Sequence, residues 1–241
     1  MADETTTRPV TLTDDMRMKF NAVSTATLAG NLQGRGMRNS FLSGLKPLNA
    51  DQRMLGYAHT LRYVPKREDF ERRLKGPNAQ RQAVESIEPE EVLVIEARNE
   101  PHAGTIGDIF AMRVKQSGGS GVITDGALRD TPAIAKIGLP VYHQSSHAAT
   151  LGRLHTPLDH QIPIACAGVT VFPGDIIVGD GEGVVVIPAL IAEDVANECY
   201  IQEIEEEFAF LKVAEGESSI GLFPLSDARR PEFEEWLKTR G

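Results

Sequence analysis

The stretch from residue 91 to residue 146 constrains this chain more than any other. Apolar runs alternate there with mixed segments: "EVLVIEA", "DIFAMRVKQSGG", "SGVITDG", "TPAIAKIG", "LPVYHQ". Short continuous apolar runs read as strands buried on both faces, and the longer mixed segments between them read as helices. Gly118 and Gly119 stop the first of those helices. Strands joined through helices pair in parallel, so the pattern predicts an α/β domain with a parallel layer covered by helices. The intervening "NEPHAGTIG" reads as a loop.

The flanks follow a different grammar. Residues 12–33 read as two helices, the second capped by Ser24 or Thr25 and ended by Gly34 with Gly36. "FLSGL" and "LGYAHTLRYV" alternate partly, as strands do, and residues 67–87 are polar and helical in pattern. Past Leu151, "IPIACAGVTV", "GDIIVGD" and "GVVVIP" read as strands joined by tight turns. "VGDGEGV" resembles part of a dinucleotide fingerprint, but that motif must open a helix; between two strands it reads as a hairpin turn. The apolar content of these strands exceeds what one sheet face needs, which raises the expectation that another subunit covers part of it. Residues 189–212 read as an acidic helix. With neither repeat nor linker, the expected organisation is a single domain over 1–212, with a tail over 213–241 packed on a neighbouring surface.

Charge and cysteine content exclude some function classes. A net charge of -9 argues against nucleic acid, which is bound chiefly by neutralising phosphates. The most basic stretch, "RYVPKREDFERRLKGP" at 62–77, also carries three acids and reads as a solvated helical face. No apolar run approaches the ~20 residues that span a bilayer, and "MADETTTRPV" is unlike a signal peptide, so a cytoplasmic protein without membrane contact is expected. Cys166 and Cys199 are too few for a disulfide framework or a thiolate metal cluster and read as unpaired thiols.

The chemistry concentrates in "TDGALRDTP" (124–132), where Asp125, Arg129 and Asp130 follow an apolar run. Asp130 or Thr131 could cap the helix beginning near Pro132, and Asp108 could cap the helix before it. Capping leaves Arg129 unexplained. Carboxyl ends of parallel strands are where α/β proteins build sites, and helix N-termini there offer free N–H groups to anions. Arg129 adds a bidentate fork for a carboxylate, and Asp130 with Asp108 adds hard oxygens for a Mg²⁺ that keeps several waters. The combination suits a small carboxylate on a divalent metal. His143 and His147 have the i, i+4 spacing of metal ligands but lack the helical context. Lys115 and Lys136 fall in predicted helices with exposed settings and do not suit a Schiff base.

Asp108, twenty residues, then Arg129-Asp130 is the spacing of a known family, and "STATLAGNL", "GYAHTLRYV", "GDIFAMRVKQSGGSGVITDGALRD", "GLPVY" and "CAGVTVFPGDIIVGDGEGVVVIP" match it too. Over residues 20–200 the chain resembles the RraA-like family, which holds the regulator of ribonuclease activity A and the metal-dependent 4-hydroxy-4-methyl-2-oxoglutarate aldolases. The resemblance implies a layered β/β/α sandwich of the swivelling type with a C-terminal helical extension, assembled as a homotrimer or homohexamer with sites at subunit boundaries. It implies a class II pyruvate aldolase that cleaves a 4-hydroxy-2-oxo acid to pyruvate and a second carbonyl compound, with oxaloacetate decarboxylation as a side activity. In that scheme Asp130 binds Mg²⁺ or Mn²⁺ and Arg129 holds the pyruvyl group. The backbone N–H groups of Ile109 and Phe110 take the substrate carboxylate, and Asp108 orients a metal-bound water for proton transfer. A neighbouring subunit's glutamate joins the site, with Glu203, Glu205, Glu206 and Glu207 as candidates. Two departures stand out: Ala29-Gly30-Asn31-Leu32 replaces the usual Asp-Ala-Leu, and the 62–85 segment is longer than in compact members. The alternatives are a dehydratase or hydratase of sugar-derived 2-oxo acids and a non-catalytic protein that binds a ribonuclease complex.

Overall fold

The computed structural model describes residues 8–71 and 78–240, with the side chains of 70 and 71 outside the description. The N-terminal heptad and residues 72–77 of the stretch read as helical therefore lie outside the described residues. Two short helices open the fold, α1 (Asp14–Ala22) and α2 (Thr25–Gly34), each begun by a hydroxyl cap: Thr13 accepts from Met16 N–H, and Ser24 from Thr27 N–H.

The sheet then begins with β1 (Lys46–Pro47) and the long β2 (Met54–Pro65), followed by the helices α3 (Glu68–Glu71) and α4 (Ala79–Glu85). Next come β3 (Glu91–Glu96), β4 (Gly104–Ile106), α5 (Asp108–Gln116), β5 (Gly121–Leu128), α6 (Thr131–Ile134) and β6 (Val141–Ser146). After β7 (His155–His160), β8 (Ile164–Cys166) and β9 (Val169–Val171) form a separate hairpin. The hairpin β10 (Ile176–Gly179) and β11 (Val184–Ile187) leads to α7 (Ala192–Ala214) and α8 (Arg230–Thr239).

Nine strands make one mixed sheet in the order β1-β6-β5-β3-β2-β10-β11, with β4 added on β5 and β7 on β2. The predicted parallel layer is there: β2 with β3, β3 with β5, β5 with β6 and β4 with β5 all run parallel.

Side-chain alternation along the strands sorts the core into layers. On β3, Leu93 and Ile95 pack toward α4 and α5, where Ala83, Val84, Ala111 and Val114 meet them. Val92 and Val94 point the other way, onto the β8–β9 hairpin. These are the two sides of a β/β/α sandwich. Farther along, Ile176, Val178, Val185 and Ile187 face α1, α2 and α7, while Ile177, Val184 and Val186 join the hairpin side. Both faces of β10 and β11 are thus filled by the chain itself, which corrects the expectation that their surplus apolar residues await another subunit. The C-terminal tail packs on α7, with Phe233 and Trp236 of α8 around Phe208. No helix among the described residues is long and apolar enough to cross a membrane.

Several local readings change: "FLSGL" forms no strand beyond an isolated bridge at Phe41, and residues 62–65, read with a solvated helical face, belong to β2. "GTI" within the supposed loop is strand β4, recruited by the end of β5. Strand β5 runs on to Leu128, so Asp125 lies inside it. Helix α6 has only four residues, which leaves Lys136 in the following turn.

Candidate active site

The site forms where β4 and β5 end side by side. Gly104 pairs with Ala127 and Ile106 with Leu128, and Arg129 N–H donates to the Ile106 carbonyl at 3.0 Å. That pairing brings Gly107 and the start of α5 against Arg129 and Asp130. Two glycines allow the approach: a Cβ on Gly104 would sit 2.6 Å from Arg129 Cβ, and one on Gly107 would sit 2.7 Å from Asp130 Oδ2.

Asp130 occupies the N-cap position of α6, but its side chain makes no capping hydrogen bond. Its backbone carbonyl starts the helix instead, accepting from Ala133 and Ile134 N–H. Its φ of 57° is left-handed, a conformation that costs an L-residue roughly 1–2 kcal/mol. Strain at a residue whose carboxylate does no structural work points to function. The nearest charged group to that carboxylate is Arg129 Nε, 3.5 Å away.

Asp108 is the first residue of α5 and not its cap, which is Gly107. Its Oδ1 accepts from Ile109 N–H at 2.8 Å, so of the two N–H groups expected to take a carboxylate, one is engaged by Asp108. Phe110 N–H, in the same first turn, has no helical carbonyl behind it.

These groups border a cavity of about 410 Å³, within the usual range of small-molecule sites. Arg129, Asp130, Asp108 and Phe110 line it together with Gln80 and Arg81 of α4 and Thr150 and Leu151. The last four carry no sequence signal, since only the fold brings α4 and the 150–151 turn to this end of the sheet. All five site residues expected from the sequence border the cavity together.

Other charged residues stay out of the site. Asp125 is fully buried and accepts from Ala97, Asn99 and Ala167 N–H; burial pushes its carboxyl above the usual range against those bonds. His59 pairs with Glu91 at 2.8 Å inside the core. His147 Nδ1 accepts from Ala149 N–H, and the half-buried His143 on β6 is held below the ordinary histidine range by desolvation. Glu203 accepts from Ser24, Glu205 pairs with Arg230, Glu206 with Gln202 and Glu207 with Arg240, so each candidate glutamate has a partner within the chain.

Among the described residues no three His, Cys, Asp or Glu side chains converge as a metal cage. The arrangement fits a hard divalent ion in another way. One uncapped carboxylate, Asp130, turns into the space left by the missing β-carbon of Gly107, and the open cavity leaves room for the waters that Mg²⁺ retains.

Such a cleft, at the carboxyl ends of parallel strands and built from an arginine, two aspartates and a helix N-terminus, marks an α/β protein with its candidate site where that class takes small anions. The family model RraA-like (Aldolase/RraA) matches residues 25–186, and the chain belongs to that family. A Halalkalibacterium halodurans protein with the provisional name 4-hydroxy-4-methyl-2-oxoglutarate aldolase is 28% identical over 199 residues, covering 80% of this chain and 86% of that one. Protein DlpA of Legionella pneumophila is 27% identical over 195 residues, covering 80% of this chain but only 31% of that longer protein. The crystal structure of Streptomyces coelicolor RraAS2, described as an unusual member of the RNase ES inhibitor RraA family, superposes with a TM-score of 0.75. It is 31% identical, covering 84% of this chain and 97% of that one.

Proposed function

We propose that this protein is a divalent-metal-dependent carbon–carbon lyase, a class II pyruvate aldolase that cleaves a 4-hydroxy-2-oxo acid into pyruvate and a second carbonyl compound. The observation that carries the reading is Asp130, held at positive φ with a carboxylate that caps nothing and faces a cavity beside Arg129. The name borne by the H. halodurans relative supports it.

Cleavage of the C3–C4 bond asks three things of the chain. The pyruvyl end must be held, the 4-hydroxyl proton must leave, and the negative charge growing on the keto oxygen must be stabilised. Arg129 donates from its planar fork to the carboxylate and keto oxygen. Phe110 N–H, at the positive end of α5, donates to the same carboxylate. Asp108 positions a water that takes the 4-hydroxyl proton; when its carboxylate turns to that water, Ile109 N–H is released as a second donor. The C4 carbon becomes a carbonyl, the bonding pair moves onto the pyruvyl half as an enolate, and C3 then takes up a proton. Asp130 would hold Mg²⁺ or Mn²⁺, which would supply Lewis-acid polarisation of the keto oxygen when bound. Loss of CO₂ from oxaloacetate yields the same enolate, hence the decarboxylase side activity.

The test is pyruvate release from a panel of 4-hydroxy-2-oxo acids and from oxaloacetate, with EDTA and with Mg²⁺ or Mn²⁺ restored. EDTA should abolish turnover and either metal should restore it; full activity after metal stripping overturns the mechanism. The description of the S. coelicolor structure favours a second reading, a non-catalytic ribonuclease-binding regulator. Absence of pyruvate from every substrate, together with retention of a ribonuclease complex on the immobilised protein, would support that reading instead.

A further inference from the structure

Arg81 is the second guanidinium of the cavity, and it reaches it from α4, a helix outside the motif that carries Asp108, Arg129 and Asp130. Its backbone is fixed: Asn78 Oδ1 caps α4 by accepting from Arg81 N–H at 2.9 Å. The preceding residue, Gln80, is buried and donates to the Thr105 carbonyl of β4 at 2.7 Å. The natural acidic partner of Arg81 is Glu85, one helical turn on. Glu85 is taken: its Oε2 accepts from Arg113 Nε of α5 at 2.9 Å. Arg81 therefore has no carboxylate partner among the described residues. Its guanidinium lies 5.8 Å from the centre of the Phe110 ring, on the cavity wall.

We propose that Arg81 is the specificity-determining residue of this cavity, recognising a second carboxylate at the end of the substrate remote from the pyruvyl group. This rests on the lyase reading above; a diacid substrate is already what the name of the H. halodurans relative describes, and the inference is the residue that reads its second carboxylate. Charge balance points the same way. The two arginines and two aspartates at the cavity cancel, so a divalent ion leaves two positive charges, which a dianion neutralises and a monoanion does not.

The test uses a matched pair of ligands without a 4-hydroxyl, and hence not cleavable: 2-oxoglutarate and its C5 methyl ester. Their dissociation constants are measured by calorimetry with Mg²⁺, on the native chain and on Arg81→Ala, Arg81→Lys and Arg81→Glu. The native protein should bind the diacid about tenfold to a hundredfold more tightly than the ester, the range for a hydrogen bond to a charged group. In Arg81→Ala that ratio should fall close to one, Arg81→Lys should keep part of it, and Arg81→Glu should invert it. Equal binding of the two ligands by the native protein, binding of neither, or a ratio that survives Arg81→Ala overturns the assignment. Pyruvate release from 4-hydroxy-2-oxo acids is scored separately. An Arg81-dependent ratio in a protein that releases no pyruvate removes the lyase reading and keeps the anion site. Pyruvate release with a ratio indifferent to Arg81 does the reverse.

Discussion

The α-carbon of Gly107 and the carboxylate of Asp130 share one small space: a β-carbon on Gly107 would meet Asp130 Oδ2 at 2.7 Å. Gly107 itself has a φ of -116°, which any residue adopts, so its lack of a side chain serves the neighbour and not the backbone. Gly107→Ala should therefore fold with little change in melting temperature while displacing the Asp130 carboxylate. A displacement of about 1 Å at a reacting group can cost on the order of a hundredfold in rate. Near-normal kcat/KM in a well-folded Gly107→Ala would show that the carboxylate has freedom to spare.

Asp130 offers a sharper separation of fold from function. Its side chain contributes no cap, and its backbone is left-handed, which glycine adopts without penalty. Asp130→Gly should be as stable as the native protein or more stable by up to about 1 kcal/mol, while losing divalent-ion binding and turnover together. Asp130→Asn keeps the backbone preference and should lose the same two properties. Thermal melts with calorimetric Mg²⁺ titration decide it; unchanged Mg²⁺ affinity in both variants removes Asp130 from the metal site.

Arg129 should behave differently. Its backbone N–H, not its side chain, ties β5 to β4, so Arg129→Ala should keep the strand pairing. The expected outcome is retained Mg²⁺ binding with kcat lowered roughly 10²- to 10³-fold, the scale for losing a transition-state oxyanion donor. Arg129→Lys should recover little, since a point charge cannot reproduce a planar fork. A lysine variant with most of the native kcat would reduce the role of Arg129 to charge alone.

What the sequence made legible follows from which signals are local. The parallel layer was readable because β3, the first half of β5 and the start of β6 are apolar on consecutive positions and separated by longer mixed segments. The Asp108/Arg129-Asp130 group was readable because both ends lie at strand-to-helix junctions. Strand β4 was missed because three residues, Gly104–Ile106, hold no period, and they are extended only because the end of β5 offers them a partner. The role of Asp125, noted in the same run as Arg129 and Asp130, was not readable, because sequence does not say that Ala97, Asn99 and Ala167 bring three N–H groups to it. Arg81 was invisible as a cavity residue for a similar reason: its i+4 acid is captured by Arg113, from another helix.

Assembly can be tested at the cavity's outer edge. Ile109 is 78% exposed and Met112 41%, on the surface of α5 beside the site, whereas the apolar strands β10 and β11 are covered within the chain. The homotrimer or homohexamer that the family resemblance implies should give a light-scattering mass of three or six times 26.3 kDa. Ile109→Asp should lower that mass toward the monomer. A native protein that scatters as a monomer at micromolar concentration contradicts the assembly.

The last prediction concerns pH and the turn between β10 and β11. Asp180 accepts from Thr25 N–H at 2.8 Å, Thr25 Oγ1 at 2.7 Å and Glu182 N–H at 2.9 Å, joining that turn to the start of α2. Partial burial alone would raise its carboxyl, but the Thr25 and Glu182 bonds and the nearby Arg53 outweigh it and hold the group below the usual aspartate range. A carboxylate lowered in the folded state contributes stability that is complete above the unfolded value, near pH 4, and is lost as pH falls through the folded value. Asp180→Asn should thus cost about 0.5–2 kcal/mol at pH 7, as loss of a helix-start acceptor does, or a few degrees in melting temperature. Below about pH 4 the gap between the two proteins should narrow, because the native carboxyl is then becoming protonated too. Melting curves from pH 7 to pH 3 read this directly. A gap that stays constant across that range would mean that the ionised form of Asp180 is not what holds α2 to the turn.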